Sequence, residues 1–376
     1  MSRLNINNLT NENEDGSPRI SGISTFSSAH YFVPPSGTKA ERPSDPGEGM
    51  IRFNTDSGHL EYYTGEFWDD VIVNNNDLGG GTGSNTGTGT RGVFAGGYSP
   101  ARTNIIDYVT ISTLGDAQDF GDLLVATEYP AGTSDSTRGL VLGGQTSAII
   151  NTVVYITIAS TGDAQDFGDL IGPLRTKSAL ANSTRAISSG GQAVGSGVGS
   201  NIIEYLTIQS KGDTNDFGDL SAVAYYQSCA ASSTRGIFAG HSSLAPPTSD
   251  NTIDYVTIAT TGNALDFGDL DYSGSGSGLS NSTRGVFSRG GSTELDYVTI
   301  ATLGNSQDFG TLTGDARYNT DAAVSSSTRG LFMVGAPEGN TINYITILST
   351  GNAQDFGDLT RAPGGDAGFS NGHGGL

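Results

Sequence analysis

Carboxylates are the side chains in this sequence whose spacing could support chemistry. Aspartates recur in the pattern Asp-x-x-Asp-Phe-Gly-Asp, as at Asp116, Asp119 and Asp122. Hard cations such as Ca²⁺ prefer oxygen ligands of this kind. The pattern lacks the spacing of an EF-hand loop, however, and has no glutamate placed to bind a cation through both oxygens. We expect these carboxylates to cap turns and to keep the surface soluble, with a calcium site as the alternative.

Other signatures of catalysis are weak. Asp-Phe-Gly also occurs in protein kinases, but here it occurs six times, without a His-Arg-Asp loop or a phosphate-binding lysine motif. The four histidines, His30, His59, His241 and His373, lie in unlike contexts, and the single cysteine, Cys229, lies in a predicted strand. We therefore predict no catalytic residue, no cofactor and no enzymatic activity.

The Asp-Phe-Gly motifs belong to a repeat of about 47 residues that fills 91–376. Each copy has a Thr-Arg step, then a tyrosine followed by an apolar residue and Thr-Ile, then the Asp-Phe-Gly motif. The arginines are Arg91, Arg138, Arg185, Arg235, Arg284 and Arg329; the tyrosines are Tyr108, Tyr155, Tyr205, Tyr255, Tyr297 and Tyr344; the phenylalanines are Phe120, Phe167, Phe217, Phe267, Phe309 and Phe356.

Each copy is predicted to form four short strands. In the fourth copy they are residues 228–232, 236–240, 252–258 and 265–267, which are rich in β-branched and aromatic residues and are bounded by turn residues. Four strands in a copy of this length are typical of one β-propeller blade. The tail 361–376 resembles a first strand, so we expect it to complete blade 1 of a closed six-bladed propeller.

The repeated arginines are predicted to tie neighbouring copies together. Propeller geometry places Arg138 on the same face as the turn that contains Asp163. The arginines would then bind turn aspartates or backbone carbonyl groups. An arginine cluster that binds an anionic sugar is the alternative, but repetition in every copy favours the structural role.

Residues 1–73 lie outside the repeat. Residues 47–73 are predicted to form a small β-hairpin module with a third strand, residues 1–46 an extended anchoring arm, and residues 74–90 a Gly/Asn/Thr-rich linker. The arm is expected to become ordered against partners. The aromatic residues expected to anchor it are Phe26, Tyr31, Phe32, Phe53, Tyr62, Tyr63 and Trp68.

Loops on one side of the predicted propeller vary between copies in length and composition, while the turns on the other side hardly change. One diversified face is typical of a binding head, whereas drift without binding is the alternative. Tyrosine suits glycan or protein contacts because it combines a flat apolar ring with a hydroxyl group. The candidates for exposed binding residues are Tyr98, Tyr129, Tyr225, Tyr226, His241, Tyr272 and Tyr318.

The net charge of −21 argues against two classes of partner. An acidic surface repels nucleic-acid phosphates and anionic lipid headgroups, so we expect no nucleic-acid and no membrane partner. The first residues lack the apolar stretch of a signal peptide, and no apolar run is long enough to span a membrane.

The repeat resembles Kelch repeats in its order of arginine, strand ending in a diglycine, tyrosine strand and aromatic strand. The diglycines are Gly96-Gly97, Gly143-Gly144, Gly190-Gly191 and Gly290-Gly291. Two copies depart from the pattern, with Gly240-His241 and Gly335-Ala336, and phenylalanine stands where Kelch repeats usually have tryptophan. The resemblance implies an all-β, six-bladed Kelch-like propeller.

The segment 47–68, together with 20–26 and 31–35, resembles a segment near the start of tailed-phage appendage proteins. Asp-Phe-Gly-Asp-Leu with Tyr-Val-Thr-Ile also resembles repeats in virion proteins of marine, particularly cyanobacterial, phages. The resemblance implies a structural virion protein, assembled in the host cytoplasm. It would be a fibre-like tail or neck appendage with a propeller displayed for host-surface or protein binding.

The expected partners are other virion proteins through the arm, a host surface glycan or receptor, and further copies of the chain in a homo-oligomer on the particle. The alternatives are a capsid decoration protein, a propeller hydrolase or lyase acting on surface polysaccharide, and a cellular Kelch-type scaffold.

Overall fold

The structure is a computed structural model, in which two compact units span Met1–Asn75 and Asn76–Leu376. It describes residues 34–56, 59–71, 90–98, 100–193, 199–244, 247–274, 276–316, 323–334, 339–362 and 364–376, without the side chains of 70, 71 and 241–249. Within these ranges the only helix is a 3₁₀ turn, Lys39–Glu41. No helix there is long and apolar enough to cross a membrane.

The N-terminal unit contains one four-stranded sheet. Its strands in spatial order are β1 (Ser36–Gly37), β2 (Ile51–Asn54), β3 (His59–Tyr63) and β4 (Trp68–Val71). β1 pairs with β2 in parallel, and the other pairs are antiparallel. The hairpin and third strand expected within 47–73 correspond to β2, β3 and β4.

The predicted boundary of the arm at residue 46 differs from the structure. Gly37 pairs with Asn54, and the Arg42 guanidinium forms an ion pair with the buried Glu61 carboxylate. Residues 36–42 therefore pack on the small sheet instead of extending away from it, because the buried charge of Glu61 requires a partner. Phe26, Tyr31 and Phe32 lie outside the described residues.

The repeat forms six four-stranded antiparallel sheets, typical of the β-propeller-like class. The first sheet joins β5 (Arg91–Ala95), β6 (Ile105–Thr110) and β7 (Gln118–Asp122) to the C-terminal β28 (Ala367–Ser370). The next two contain β8 (Ala131–Ser134), β9 (Arg138–Leu142), β10 (Thr152–Thr157) and β11 (Gln165–Asp169), then β12 (Ser178–Ala181), β13 (Arg185–Ser189), β14 (Ser200–Thr207) and β15 (Asn215–Ala224).

The remaining three sheets follow the same order along the chain. They contain β16 (Ser228–Ala231), β17 (Arg235–Leu244), β18 (Pro247–Thr257) and β19 (Leu265–Asp269); β20 (Gly278–Ser280), β21 (Arg284–Ser288), β22 (Glu294–Thr299) and β23 (Gln307–Thr311); and β24 (Ala323–Ser325), β25 (Arg329–Met333), β26 (Thr341–Thr346) and β27 (Gln354–Asp358).

The first strands of the sheets are neighbours of one another. β8, β12, β16, β20, β24 and β28 contact in that order, and β28 also contacts β8. β28 pairs antiparallel with β5, with Ala367 opposite Ala95 and Ser370 opposite Gly92. The C-terminal tail therefore supplies the first strand of the sheet at the start of the repeat.

Apolar residues of adjacent sheets form joint cores, which explains the Asp-Phe-Gly motif. Phe120 is buried in one cluster with Val141 and Ile156 of the following copy. The glycine after it, Gly121, has φ +147°, and a Cβ there would lie 2.6 Å from the carbonyl group of Gly162 in the next copy. Phenylalanine thus fills the space between sheets, and glycine permits their close approach.

One predicted loop is instead an extension of two strands. The strands predicted at 236–240 and 252–258 leave a loop between them, but backbone pairing continues there from His241–Asp250 to Leu244–Pro247. A register shift at Gly240, which has φ +71°, separates this extension from the rest of β17. A bulge with a glycine of positive φ allows a hairpin to bend and continue pairing.

Candidate functional site

The repeated arginines join each copy to the next. Arg138 Nη1 donates to the Ile208 carbonyl oxygen at 2.7 Å, and Arg329 closes the series on Ile111 at 2.8 Å. The other donors and acceptors are Arg91–Ile158, Arg185–Ile258, Arg235–Ile300 and Arg284–Ile347. The sequence predicted that these arginines bind turn aspartates or backbone carbonyl groups. In the structure they bind backbone carbonyl groups.

Each of these arginines also lies over the tyrosine of its own copy. The guanidinium carbons lie 4.1 to 4.7 Å from the ring centroids. Each tyrosine in turn meets the Asp-Phe-Gly phenylalanine edge to face, with centroids 5.8 to 6.4 Å apart. This arrangement holds the guanidinium group in place, and it stabilises the contact between copies.

The acidic turns form a second series of bonds between copies. Asp163 Oδ1 accepts a hydrogen bond from the backbone N–H of Asp122 at 3.0 Å, and Asn263 Oδ1 accepts one from Asp219 at 3.1 Å. The equivalent acceptors are Asp116, Asp213, Asn305 and Asn352. Three copies use aspartate and three use asparagine as this acceptor, so a negative charge is not required there. No group of three or more His, Cys, Asp or Glu side chains in the described ranges could hold a metal ion.

The channel between the first strands is narrow. Its cavity of about 50 Å³ has room for a few water molecules but not for a sugar ring. Ala181, Ala231, Leu279 and other small or apolar residues line it, together with His373. This lining contains no carboxylate among the described residues.

The C-terminal tail crosses one end of this channel. His373 Nε2 contacts the Ser134 carbonyl oxygen at 2.7 Å, and Nδ1 accepts from the Gly375 N–H at 3.1 Å. Gly374 N donates to Ser280 O at 2.9 Å, on a different sheet. Burial lowers the pKa of His373, so the ring is neutral and Nε2 donates to Ser134.

Two tyrosines lie at the opposite end of the first strands. Tyr129, Thr176 and Tyr226 occupy equivalent positions two residues before β8, β12 and β16, and we call them the tyrosine arc. Thr176 N donates to Tyr129 O, and Tyr226 N donates to Thr176 O, both at 3.1 Å. All three have positive φ, from +55° to +59°. Gly365, with φ +65°, occupies the equivalent position before β28, and its carbonyl group accepts from Tyr129 N at 2.6 Å.

The rings of the arc touch one another and an arginine. The Tyr129 and Tyr226 centroids are 6.2 Å apart, and Tyr225 packs behind Tyr226 at 5.0 Å. The Arg175 guanidinium lies 5.7 Å from the Tyr129 ring and donates to the side-chain oxygens of Gln145 and Gln192. Burial raises the pKa of Tyr226 to about 12, so its hydroxyl stays protonated at neutral pH.

The predicted binding tyrosines have different environments. Tyr98 is 48% exposed, and Tyr129 and Tyr226 are partly exposed. Tyr225 and Tyr272 were expected to be exposed, but they are 2% and 5% exposed. Tyr272 packs in an apolar cluster and its hydroxyl donates to the Ser288 carbonyl oxygen at 2.9 Å, which explains its burial.

Two of the predicted binding residues have no described side chain, and two residues beside the tyrosine arc were not predicted. Tyr318 and the side chain of His241 lie outside the described residues. Arg175 and Gln145 were not among the binding residues predicted from the sequence. Their only sequence signal is position, since Arg175 immediately precedes an arc residue and Gln145 follows a diglycine.

The small N-terminal sheet buries its charged face and exposes its apolar face, which is the reverse of the usual arrangement. Arg52 and Glu61, paired across β2 and β3, are buried under residues 36–42. On the opposite face Ile51, Leu60 and Tyr62 are exposed and Phe53 is half-buried. Among the other predicted anchoring residues, Tyr63 and Trp68 are half-buried and contact each other at 5.5 Å.

Comparison of the chain with models of protein families and with curated proteins found no match.

Proposed function

We propose that this chain is a non-enzymatic structural protein of a tailed-phage virion. It serves as a fibre-like tail or neck appendage, anchored through its N-terminal unit. Its repeat is a six-bladed Kelch-like propeller that is displayed for host-surface or protein binding. The N-terminal unit binds other virion proteins.

The exposed apolar face of the small sheet is the observation that carries this proposal. Ile51, Leu60 and Tyr62 project from β2 and β3, while the charged residues of the same strands are covered. Burial of apolar side chains is favourable by about 25 cal/mol per Å². A sheet that exposes its apolar face and buries its ion pairs is suited to assembly with another protein.

Bonds between copies support the closed propeller. The arginine bonds lead from each copy to the next and return from Arg329 to Ile111. The hydrogen bonds of the acidic turns also lead from each copy to the next, and in the last of them Asp358 N donates to Asp116 Oδ1 at 3.0 Å. Closure leaves fewer open strand edges, which helps a protein remain soluble at the high copy number of a virion component.

The narrow channel favours a non-enzymatic role over a propeller hydrolase. Small-molecule sites usually enclose several hundred Å³ and several polar groups. The channel here is about 50 Å³, and the tail that carries His373 covers one end. A polysaccharide-cleaving site in this channel would need both more space and carboxylates.

Immunogold electron microscopy of intact particles, with an antibody against residues 91–376, tests the proposal. Label on the tail, neck or fibres is the expected result. Label spread over the head would instead favour a capsid decoration protein. Particles without label would overturn the virion assignment.

A variant of the apolar face gives a second test. Replacement of Ile51, Leu60 and Tyr62 by serine should prevent incorporation into particles while the repeat unit stays folded. The matched control replaces the exposed leucines Leu114, Leu303 and Leu348 of the repeat by serine. Equal incorporation of both variants would contradict anchoring through the small sheet.

A further inference from the structure

We propose that the tyrosine arc, with Arg175 and Gln145, is a binding site for a neutral pyranose sugar. The inference deepens the proposed function, since it assigns the ligand class and the residues of a displayed binding head. Five observations carry it: the backbone conformation of the arc, its rings, its planar polar groups, its charge and its departure from the repeat.

The backbone conformation is one that tyrosine rarely adopts. Tyr129 and Tyr226 have φ of +55° and +59°, where the side chain of an L-residue crowds its own backbone. The same place before β28 holds Gly365, which adopts this conformation without strain. Both tyrosines, like Thr176 between them, therefore stand where glycine would be more stable. Strain of this kind is held in place by the surrounding structure, and it clusters at ligand-binding and other functional sites.

The two rings form one aromatic surface. They meet edge to face at 6.2 Å, and the buried Tyr225 supports Tyr226 from behind. Hydrogen bonds between successive arc residues fix their spacing. Partly exposed, supported rings lose little conformational entropy on binding, and their flat faces suit the C–H faces of a pyranose.

Planar polar groups lie beside these rings. Arg175 stacks on Tyr129 and donates to the amide oxygens of Gln145 and Gln192, with 3.0 Å to the latter. Because the side-chain oxygen of Gln145 accepts from Arg175, its amino group points away from the guanidinium. The Gln145 side chain is partly exposed. Apolar rings with a few convergent donors and acceptors are the usual composition of a small-ligand site. Adjacent hydroxyl groups of a sugar match such donors.

Charge favours a neutral sugar over an acidic one. Arg102, close to the arc, is paired with Glu128 at 2.6 Å. The chain as a whole carries −21. Its field repels anionic saccharides at long range. The Arg175 guanidinium is positively charged, but two of its donors already bind the Gln145 and Gln192 oxygens, so recognition relies mainly on stacking and on hydrogen bonds with the neutral amide groups.

The site also departs from the repeat, as expected of a binding site. Most arginine, tyrosine and aspartate positions recur in every copy, but the arc positions hold Tyr129, Thr176, Tyr226 and Gly365. These positions belong to the face whose loops differ between copies, and such diversity on one face is typical of a binding head.

Saturation-transfer NMR with the full-length chain tests the inference. The probes are methyl glycosides of glucose, mannose and galactose, with N-acetylneuraminic acid as the acidic probe. We expect transfer to the ring C–H protons of at least one neutral glycoside. Double replacement Tyr129→Thr and Tyr226→Thr, which copies Thr176, should weaken this binding by about tenfold or more.

Matched variants separate loss of the site from loss of the fold. Leu303→Thr removes an exposed apolar side chain from a turn of the repeat and should leave sugar binding unchanged. If the threonine variant melts at a much lower temperature, Tyr129→Gly with Tyr226→Gly, which copies Gly365, replaces it. Glycine is unstrained at positive φ, so this variant should fold.

Three results would overturn the inference. They are no transfer to any neutral glycoside at about 10 mM, transfer to the acidic probe alone, and equal binding by the wild type and a folded arc variant. The result is independent of particle labelling. Labelled appendages without sugar binding would refute only the site, and sugar binding without labelled particles would refute only the virion role.

Discussion

Arg329 Nη1 donates to the carbonyl oxygen of Ile111 at 2.8 Å, across 218 residues of sequence. This bond joins the last copy of the repeat to the first, and the Arg329 guanidinium also lies 4.7 Å from the Tyr344 ring. Ile111 is fully buried. Loss of the guanidinium would therefore leave a buried carbonyl group without its donor.

Arg329→Met should lower the free energy of unfolding by about 2–4 kcal/mol, since it removes a charge-assisted hydrogen bond and a cation–π contact. Urea unfolding followed by circular dichroism measures the change. Arg289 is exposed, and its guanidinium lies farther from a ring, 5.4 Å from the Tyr272 centroid. Its replacement by methionine should change stability by less than about 1 kcal/mol. Equal stability of the two variants would show that the closing bond contributes nothing.

The C-terminal strand should be essential to the repeat unit. Phe369 is buried against Gly139 of the next copy, where a Cβ would overlap the ring. Phe369→Ala should cost about 3–5 kcal/mol, and removal of 361–376 should leave β5 without its partner. Differential scanning calorimetry measures both, with the exposed Phe67→Ala as control. An unchanged melting temperature after truncation would contradict closure by this strand.

Asp296 should make stability depend on pH. Burial, together with the neighbouring Asp271, raises the pKa of Asp296 to about 6 from an ordinary 3.8. The folded chain holds this proton more tightly than the unfolded chain. Stability from this group is therefore full below pH about 4 and is lost as the pH rises through 6.

Asp296→Asn should flatten this dependence and stabilise the protein at pH 7 by up to about 3 kcal/mol. Asn343 occupies the equivalent place in the last copy, where its Oδ1 accepts from Thr313 N at 2.8 Å. Melting temperatures between pH 4 and 8 test this, with Asp355→Asn as control, since Asp355 is exposed and lies opposite the uncharged Asn343. A wild type whose stability rises between pH 4 and 6 relative to Asp296→Asn would refute the raised pKa.

Removing one partner of the buried ion pair Lys177–Glu204 should destabilise the protein, whereas replacing both partners by apolar residues should change its stability little. Its atoms Nζ and Oε1 are 2.8 Å apart, and both side chains are almost fully buried. Lys177→Met leaves the carboxylate without its cation and should cost about 3–5 kcal/mol. The preceding copy has Pro130 and Val154 at these places. The double variant Lys177→Met, Glu204→Val should therefore recover most of the stability that Lys177→Met loses. Chemical denaturation measures both variants. No recovery would mean that the ion pair itself stabilises the fold.

Turn carboxylates should not need a cation. Asp116, Asp163 and Asp213 accept backbone hydrogen bonds of 3.0 Å that Asn263, Asn305 and Asn352 also accept, at 3.1 to 3.2 Å. Triple replacement of the aspartates by asparagine should shift stability by less than about 1 kcal/mol. Calcium or a chelator should leave the melting temperature of both proteins unchanged. Stabilisation by calcium in the wild type alone would restore the metal-site alternative.

Much of the fold follows from local patterns. The strands come from β-branched and aromatic runs between turn residues, and the repeat period predicts four strands per copy, as in β16 to β19. The similarity of the tail to a first strand also predicts a strand near β28. The length of the β17–β18 hairpin was missed, because continued pairing past a bulge depends on backbone contacts that composition does not reveal.

The candidate site was less accessible from sequence. Tyr225 and Tyr272 have the same residue type and similar loop positions as Tyr129 and Tyr226, yet only the structure separates buried from partly exposed rings. Likewise, Arg175 becomes a candidate only because folding brings it to Tyr129 and Gln145.

The sequence by itself determined the all-β class, the repeat and the strand positions, since these depend on neighbours along the chain. Tertiary structure decided which arginine reaches which carbonyl group, which tyrosines remain accessible and which face of the small sheet is apolar and exposed. These properties depend on contacts between residues as far apart as Arg329 and Ile111, and burial is set by the packing of whole sheets.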